Sequence, residues 1–338
     1  MTSTRPTLRD VARLSGVSEI SVSRVMRNAP NISAELRERV ETAARQLGYT
    51  PNRLAGGLKS QTSNLVAVVV PSMSNNVFPE VVDGIEHVLS RQGRRMVLGL
   101  TQYDNSREEG IIRELLSWSP AGIILAGLEH SKASRTLLRN AGIPVVEIMD
   151  IDTADVEDAP IDIAIGISQR AAGRAMADHL TARGYHRIGY IGAWGETPSR
   201  SLKRRLAFEA RLAERGIALA ARLIAPEASS IGLGRTCCAR ILEMEPGLDA
   251  IFFANDDLAV GGLLYCMAQG LSVPDRLALA GFNGIDFADA MPQRLTTIRT
   301  PRGRMGEAAA QALAEGKAEG REGAIIDLGF SLLARDTT

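Results

Sequence analysis

The chain has 338 residues, 45% hydrophobic and 23% charged, with 39 Lys and Arg balanced by 39 Asp and Glu. That length exceeds what one core of roughly 250–300 residues supports, so more than one folded unit is expected. No run approaches the ~20 consecutive apolar residues of a membrane span. The opening MTSTRPTLRD has no apolar signal-peptide core, so a cytoplasmic protein with no membrane partner is expected. Cys237, Cys238 and Cys266 lack metal-ligand spacing, which predicts packed, reduced thiols and neither metal nor cofactor.

The charge is unevenly placed. Residues 1–64 hold ten Lys and Arg against five Asp and Glu, a net of +5, which leaves −5 on the remainder. A basic head on an acidic body is the electrostatic footprint of nucleic-acid contact through one domain. Within the head, Thr7 is placed to cap a helix with Asp10 as its partner, and Val11, Ala12 and Leu14 give that helix an apolar side. Gly16 permits a tight turn. Ser18 then caps a second helix whose Val22, Val25 and Met26 recur at i, i+3 and i+4 and face inward. Glu19, Ile20, Ser21 and Arg24 are left outside. This pattern fits a helix-turn-helix and also a plain helical hairpin. A third helix is expected from Ala34, with Leu36, Val40, Ala43, Ala44 and Leu47 on one face, ending at Gly48.

From Asn64 the texture changes to short apolar strands alternating with helices. Strands are expected at 65–70, 96–100, 122–126, 145–149, 188–191, 251–254 and 277–281, with helices such as 78–92 and 168–184 between them. That alternation implies parallel sheets covered on both faces, and their number implies two α/β lobes. Ligands of open α/β sheets sit beyond the carboxyl ends of strands, which places a site in the cleft between lobes. The strand ends point to Pro71–Phe78 (Ser72 included), Asp150, the segment from Trp194 to Arg204, Asn255 with Asp256, and Asn283. Asp256, Phe78 and Arg200 each keep a plain alternative as helix cap, core side chain or solvated loop charge.

TLRDVARLSGVSEISVSRVMRN followed by ISAELRERVETAARQLGYTPNRLAGGLKS resembles the LacI family of bacterial transcription repressors. The resemblance implies an N-terminal all-α helix-turn-helix domain (1–50), a hinge helix and linker (51–63) and an α/β two-lobed periplasmic-binding-protein-like core (64–338). It implies lobes of about 64–163 with 292–320, and 164–291 with 321–335. In such repressors the hinge helix forms on DNA and wedges a leucine into the minor groove; Leu58 occupies that place, with Arg53, Ala55 and Lys59 around it. Gly56-Gly57 departs from the usual pattern, and each glycine disfavours helix by about 1 kcal/mol relative to alanine, so order there is expected only with DNA and a dimer mate.

The implied partner is a pseudo-palindromic double-stranded operator, read by a homodimer. Arg24 is suited to a guanine edge or phosphate, Glu19 to cytosine N4 and Ile20 to a thymine methyl. Thr7, Leu8, Ser18, Ser21, Tyr49 and Asn52 complete the expected DNA contacts, chiefly as backbone-positioning groups. A dimer, not a tetramer, is expected because no leucine heptads follow Asp336.

In the core, the resemblance assigns effector contacts to Phe78, Asp150, Arg204 and Asn255, with Ser72 beside the first and Arg200 as a second cation. Asn283 stands where many members have an aspartate. Loss of that negative charge with Arg200 and Arg204 retained favours an anionic ligand, because arginine grips a carboxylate bidentately. LLSWSPAGIIL, AGIPVVEIMDID, FANDDLAVG, AGFNGID and TPRGRMG resemble the gluconate-utilisation branch, which implies gluconate or a relative such as 2-ketogluconate. A stand-alone sugar-binding protein explains the cleft but not the basic head. An enzyme has no support, since P-loop, dinucleotide fingerprint and G-x-S-x-G elbow are all missing.

Overall fold

Thr7 opens the first helix, α1 (Leu8–Ser15), with a reciprocal capping box. The Asp10 amide donates to the Thr7 hydroxyl at 3.3 Å, and the Thr7 amide donates to the Asp10 carboxylate at 3.0 Å. Gly16 ends the helix at φ 64°, and α2 (Glu19–Met26) follows, its Ser21 amide donating to the Ser18 hydroxyl at 3.2 Å. Ser33 caps α3 (Ala34–Leu47), which Gly48 closes. The three helices share a small core of Val11, Ala12, Val22, Val25, Val40, Ala43 and Ala44. Leu14, expected inside, is 50% exposed. Ser15 turns inward with Val11 and Ala12 instead, its hydroxyl satisfied by the Val11 carbonyl at 2.6 Å.

This computed structural model describes residues 6–26, 29–50, 63–154, 160–195, 199–316 and 323–338. The chain divides between Ser63 and Asn64 into two compact units. The expected hinge positions, including Asn52, Arg53, Ala55, Leu58 and Lys59, lie outside the described residues.

In the second unit, β1 (Leu65–Val70), α4 (Val77–Arg91), β2 (Arg95–Leu100), α5 (Asn105–Ser117), β3 (Gly122–Ala126), α6 (Lys132–Asn140), β4 (Val145–Ile148) and β5 (Ile163–Gly166) build the first lobe. The second lobe takes α7 (Gln169–Ala182), β6 (Ile188–Gly192), α8 (Arg200–Glu214), β7 (Ala221–Ile224), α9 (Ile231–Met244), β8 (Ala250–Phe253), α10 (Asp256–Gln269), β9 (Ala278–Asn283), α11 (Asp286–Ala290) and β10 (Thr296–Arg299). The chain then returns to the first lobe through α12 (Arg302–Ala314) and β11 (Ala324–Asp327), and finishes in the second with β12 (Ser331–Leu333).

The two sheets run β11-β5-β4-β3-β1-β2 and β12-β10-β9-β8-β6-β7. Pairings are parallel except β10 with β12. Central strands such as β1 (LVAVVV) and β8 (AIFF) are apolar on both faces because helices cover both sides of the sheet.

The crossovers fall elsewhere than the family pattern implied. Residues 163–166 and 324–327 pair with each other in the first sheet, whereas 296–299 pair with β9 in the second. The expected boundaries at 163/164, 291/292 and 320/321 therefore move to 167–168, 300–301 and 328–330. The physical reason is strand continuity: β10 extends the second sheet beside β9, and the chain crosses back to the first lobe only afterwards, at α12. Strands β5, β7, β10, β11 and β12 were not anticipated; β7 and β11 lie at sheet edges and lack the continuous apolar run of a central strand.

One packing detail fixes the position of α8. A Cβ on Gly173 of α7 would lie 2.1 Å from the Arg204 carbonyl oxygen, so the two helix backbones are in direct contact there.

Candidate functional site

The head presents one outward surface around the α1–α2 turn. Thr7, Ser18, Glu19 and Arg24 are exposed, Ile20 is 74% exposed, and Leu8, Ser21 and Tyr49 are half-buried. The Ser18 and Ser21 hydroxyls lie 2.9 Å apart. Glu19 faces Arg9 loosely at 3.9 Å, and Arg24 reaches only the Pro30 carbonyl at 3.4 Å. These weak local contacts leave both charged side chains free to exchange solvent for a polar partner. An isoleucine exposed on the outer side of a short helix is costly in water and suits an apolar contact.

In the core, a cavity of about 630 Å³ lies between the lobes, within the roughly 300–1,000 Å³ typical of small-molecule sites. Its walls come from the carboxyl ends of parallel strands in both sheets. Val70 ends β1 and Thr101 follows β2, Ala126 ends β3, and Met149 and Ile167 follow β4 and β5. Ala193, Pro226, Ala254, Asn283 and Thr300 do the same in the second lobe. Of the seven described non-glycine residues with positive φ, five line this cavity: Gln102 (56°), Tyr103 (60°), Met149 (81°), Trp194 (59°) and Asn283 (117°). Such backbone costs about 1–3 kcal/mol per residue and concentrates where a site is pre-shaped.

The Tyr103 and Trp194 rings, one from each lobe, meet with centroids 4.7 Å apart. Asn75 donates its amide to the Tyr103 hydroxyl. Burial pushes the Tyr103 phenol above its ordinary pKa, so it stays protonated and able to donate.

Two arginines of α8 face the cavity one turn apart. Arg204 is only 5% exposed; it donates to the Gln169 side-chain oxygen and to the Ala254 carbonyl at 2.8 Å, and its guanidinium carbon sits 3.5 Å from the Phe282 ring centroid. Its Nε has no hydrogen-bond partner, and among the described residues no carboxylate pairs with it. Burial lowers its pKa to about 10, still charged at neutral pH. Arg200 lies 5.9 Å from the Phe78 ring centroid, with no hydrogen bond or ion pair among the described residues. Arg204 is a buried charge without an ion pair, which is expensive, and with half-buried Arg200 one turn away this wall of the cavity favours an incoming anion.

Lys203, between them, has a different task. Its ammonium is 2.7 Å from Asp150 Oδ2, 2.7 Å from Glu129 Oε1 and 2.9 Å from the Asp152 carbonyl, joining the two lobes beside the cavity. Burial opposes its charge, but the two carboxylates win and raise its pKa.

Residues 7–52 match the family described as bacterial regulatory proteins, lacI family, and residues 177–338 match a periplasmic binding protein-like domain. The HTH-type transcriptional regulator GntR of Pseudomonas aeruginosa is 40% identical over 100% of this chain and 97% of its own length. The HTH-type transcriptional regulator IdnR of Escherichia coli is 33% identical over 98% of each chain. A crystal structure of a LacI-family transcriptional regulator from Silicibacter pomeroyi superposes with a TM-score of 0.91 at 43% identity, covering 98% of this chain and 99% of that one. The chain belongs to the lacI family. It is a DNA-binding transcription regulator, not an enzyme.

Within this LacI-family core, four of the seven anticipated effector residues line the cavity: Arg200, Arg204, Asn255 and Asn283. Asn255 also caps α10, accepting from the Leu258 amide at 3.1 Å and pairing with Ser229, so the capping role considered for Asp256 belongs to its neighbour. Asp256 is instead fully buried, accepting from the Thr297 hydroxyl at 2.6 Å and the Ile285 amide at 2.9 Å.

The other three residues stand off the cavity lining. Phe78 is fully buried in the core of the first lobe, Asp150 is buried against Lys203, and Ser72 is buried with its hydroxyl 2.8 Å from that of Ser74. Sequence reasoning missed Gln169, Tyr103 and Glu129 on the lining. Position in the loop just past a strand, three residues on, is the available signal for Tyr103 and Glu129; Gln169 stands in the same relation to β5, a strand the sequence pattern does not reveal.

Proposed function

We propose that this regulator represses genes of sugar-acid catabolism and leaves its operator when a small sugar acid, gluconate or 2-ketogluconate, binds between the lobes. The observation that carries this reading is the pair Arg200 and Arg204, directed at the cavity with no direct ion pair to a carboxylate among the described residues. A carboxylate compensates that charge, while Asn75, Gln102, Gln169, Asn255 and Asn283 supply amides for hydroxyl groups and Trp194 an apolar face for the carbon chain. The resemblance to the gluconate branch and the full-length likeness to regulators named GntR and IdnR agree with an acid of this class.

The protein acts as a homodimer on a pseudo-palindromic operator. Glu19, Ile20 and Arg24 read bases there, and Thr7, Leu8, Ser18, Ser21, Tyr49 and Asn52 position the backbone. Leu58, flanked by Arg53, Ala55 and Lys59, wedges the minor groove. Effector binding weakens operator affinity only by its differential preference for the core geometry that separates the two heads; a coupling of about 1–3 kcal/mol is ordinary.

The test is calorimetry on the full-length protein with gluconate, 2-ketogluconate, 6-phosphogluconate, glucose and sorbitol. It is followed by titration of the bound compound into a complex with DNA selected from a random pool. Binding of an acid that releases the DNA is the expected result. Binding of glucose or sorbitol alone overturns the reading.

A further inference from the structure

From the geometry of α8 we infer that Lys203 is a specificity-determining residue: it occupies the carboxylates of Asp150 and Glu129 so that Arg200 and Arg204 stay available to an anionic ligand. The inference rests on the sugar-acid reading above and assigns a role to a side chain outside the cavity lining.

Glu129 lines the same cavity as Arg200. A Cβ placed on Gly127 would lie 3.2 Å from Arg200 Nη1 and 3.3 Å from Glu129 Oε2, so the two groups approach a single point. Without a competitor, Glu129 and Arg200 are close enough to pair, and the cavity would neutralise its own cation. Arg200 already acts on Glu129 through space, and Lys203 on the other carboxylate oxygen competes against a direct Arg200 ion pair. Its ammonium lies 2.7 Å from Glu129 Oε1 and 2.7 Å from Asp150 Oδ2, and it is itself only 6% exposed.

Position on the helix makes the sorting possible. Arg200 and Arg204, at i and i+4, share one face of α8 toward the cavity, while Lys203, one residue before Arg204, is directed to the wall formed by Glu129 and Asp150. Asp150 is fully buried, and without Lys203 its carboxylate would keep only the Asp152 amide at 3.0 Å.

The experiment compares the full-length wild type, Lys203→Met, and the triple variant Glu129→Gln, Asp150→Asn, Lys203→Met. Gluconate and 2-ketogluconate are titrated calorimetrically, and folding is monitored by thermal unfolding. K203M is expected to lose acid affinity by at least about tenfold, the scale of one charge-assisted contact. The triple variant, with no carboxylate left to capture an arginine, is expected to recover affinity to within about threefold of wild type. A merely structural lysine predicts the opposite, since the triple variant lacks the same interlobe ion pairs.

If K203M alone does not fold, the folded triple variant still decides: retained acid binding supports the inference, and loss overturns it. Acid binding by K203M equal to wild type also overturns it while leaving the sugar-acid reading intact. A wild type that binds neither acid removes the sugar-acid reading, and the inference falls with it.

Discussion

The guanidinium of Arg302 donates to the main-chain carbonyl of Asn283, tying the start of α12 in the first lobe to the cavity end of β9 in the second. The same side chain donates to the Gly284 carbonyl at 3.2 Å and to Glu80 Oε1 on α4 at 2.7 Å. Asn283 holds φ at 117°, which a non-glycine residue adopts only under outside constraint. Arg302 supplies that constraint and is 4% exposed.

Arg302→Met should therefore destabilise the core by about 3 kcal/mol, the scale of lost hydrogen bonds to a buried charge. Urea unfolding of the full-length protein measures it. A midpoint unchanged from wild type would show that the Asn283 loop holds its shape unaided.

Asp256 makes stability depend on pH in an unusual direction. Burial raises its pKa from 3.8 to about 6, against the pull of Thr297, Ile285, Gly284 and Arg302. Between those two values the folded protein binds more protons at this site than the unfolded chain. The stabilisation from this group is complete below pH 3.8 and lost as pH rises through 6, up to about 3 kcal/mol. Asp256→Asn removes the titration. Urea unfolding at pH 4.5 and pH 7 should show wild type losing stability relative to D256N on going to the higher pH; parallel behaviour at both pH values would contradict the assignment.

The sequence was most legible where one local rule acted alone. Thr7, Gly16, Ser33 and Gly48 mark helix ends because capping and left-handed backbone are properties of single residues. The runs LVAVVV and AIFF are strands because burial on both faces removes every polar position. Legibility failed where the answer depends on distant partners. Nothing local tells 296–299 to pair with β9 or 324–327 to pair with β5. In the cavity, Arg200 and Arg204 are legible as cations, but the ion pair that holds Asp150 against Lys203 is not. Their mutual capture across 53 residues of chain exists only in three dimensions.

Arg24 gives the test of the DNA face. It is exposed on α2, held only by the Pro30 carbonyl at 3.4 Å, so Arg24→Ala should leave folding unchanged. Operator affinity should fall by about 1–3 kcal/mol if the side chain grips a guanine edge, and the loss should be confined to operators carrying that base. A gel-shift titration against selected DNA and point-mutated versions separates this from a phosphate contact, for which the loss is uniform across sequences. Unchanged affinity removes Arg24 from the interface.

Gly173 links helix packing to the effector cavity. An added methyl would lie 2.1 Å from the Arg204 carbonyl oxygen and 3.1 Å from the Phe208 amide nitrogen, both main-chain atoms of α8 that no rotamer change can move aside. Helices α7 and α8 must separate, at a cost of about 1–3 kcal/mol for overpacking. The displaced helix carries Arg200, Lys203 and Arg204, whose binding geometry tolerates only about 0.5 Å. Gly173→Ala should therefore lower both the melting temperature and the affinity for sugar acid. Gly110→Ala is the control, because nothing lies within 4 Å of its added methyl on α5; it should stabilise the helix slightly, by about 0.5–1 kcal/mol, and leave ligand binding alone. If G173A loses stability but keeps full acid affinity, the position of α8 is not what sets the site.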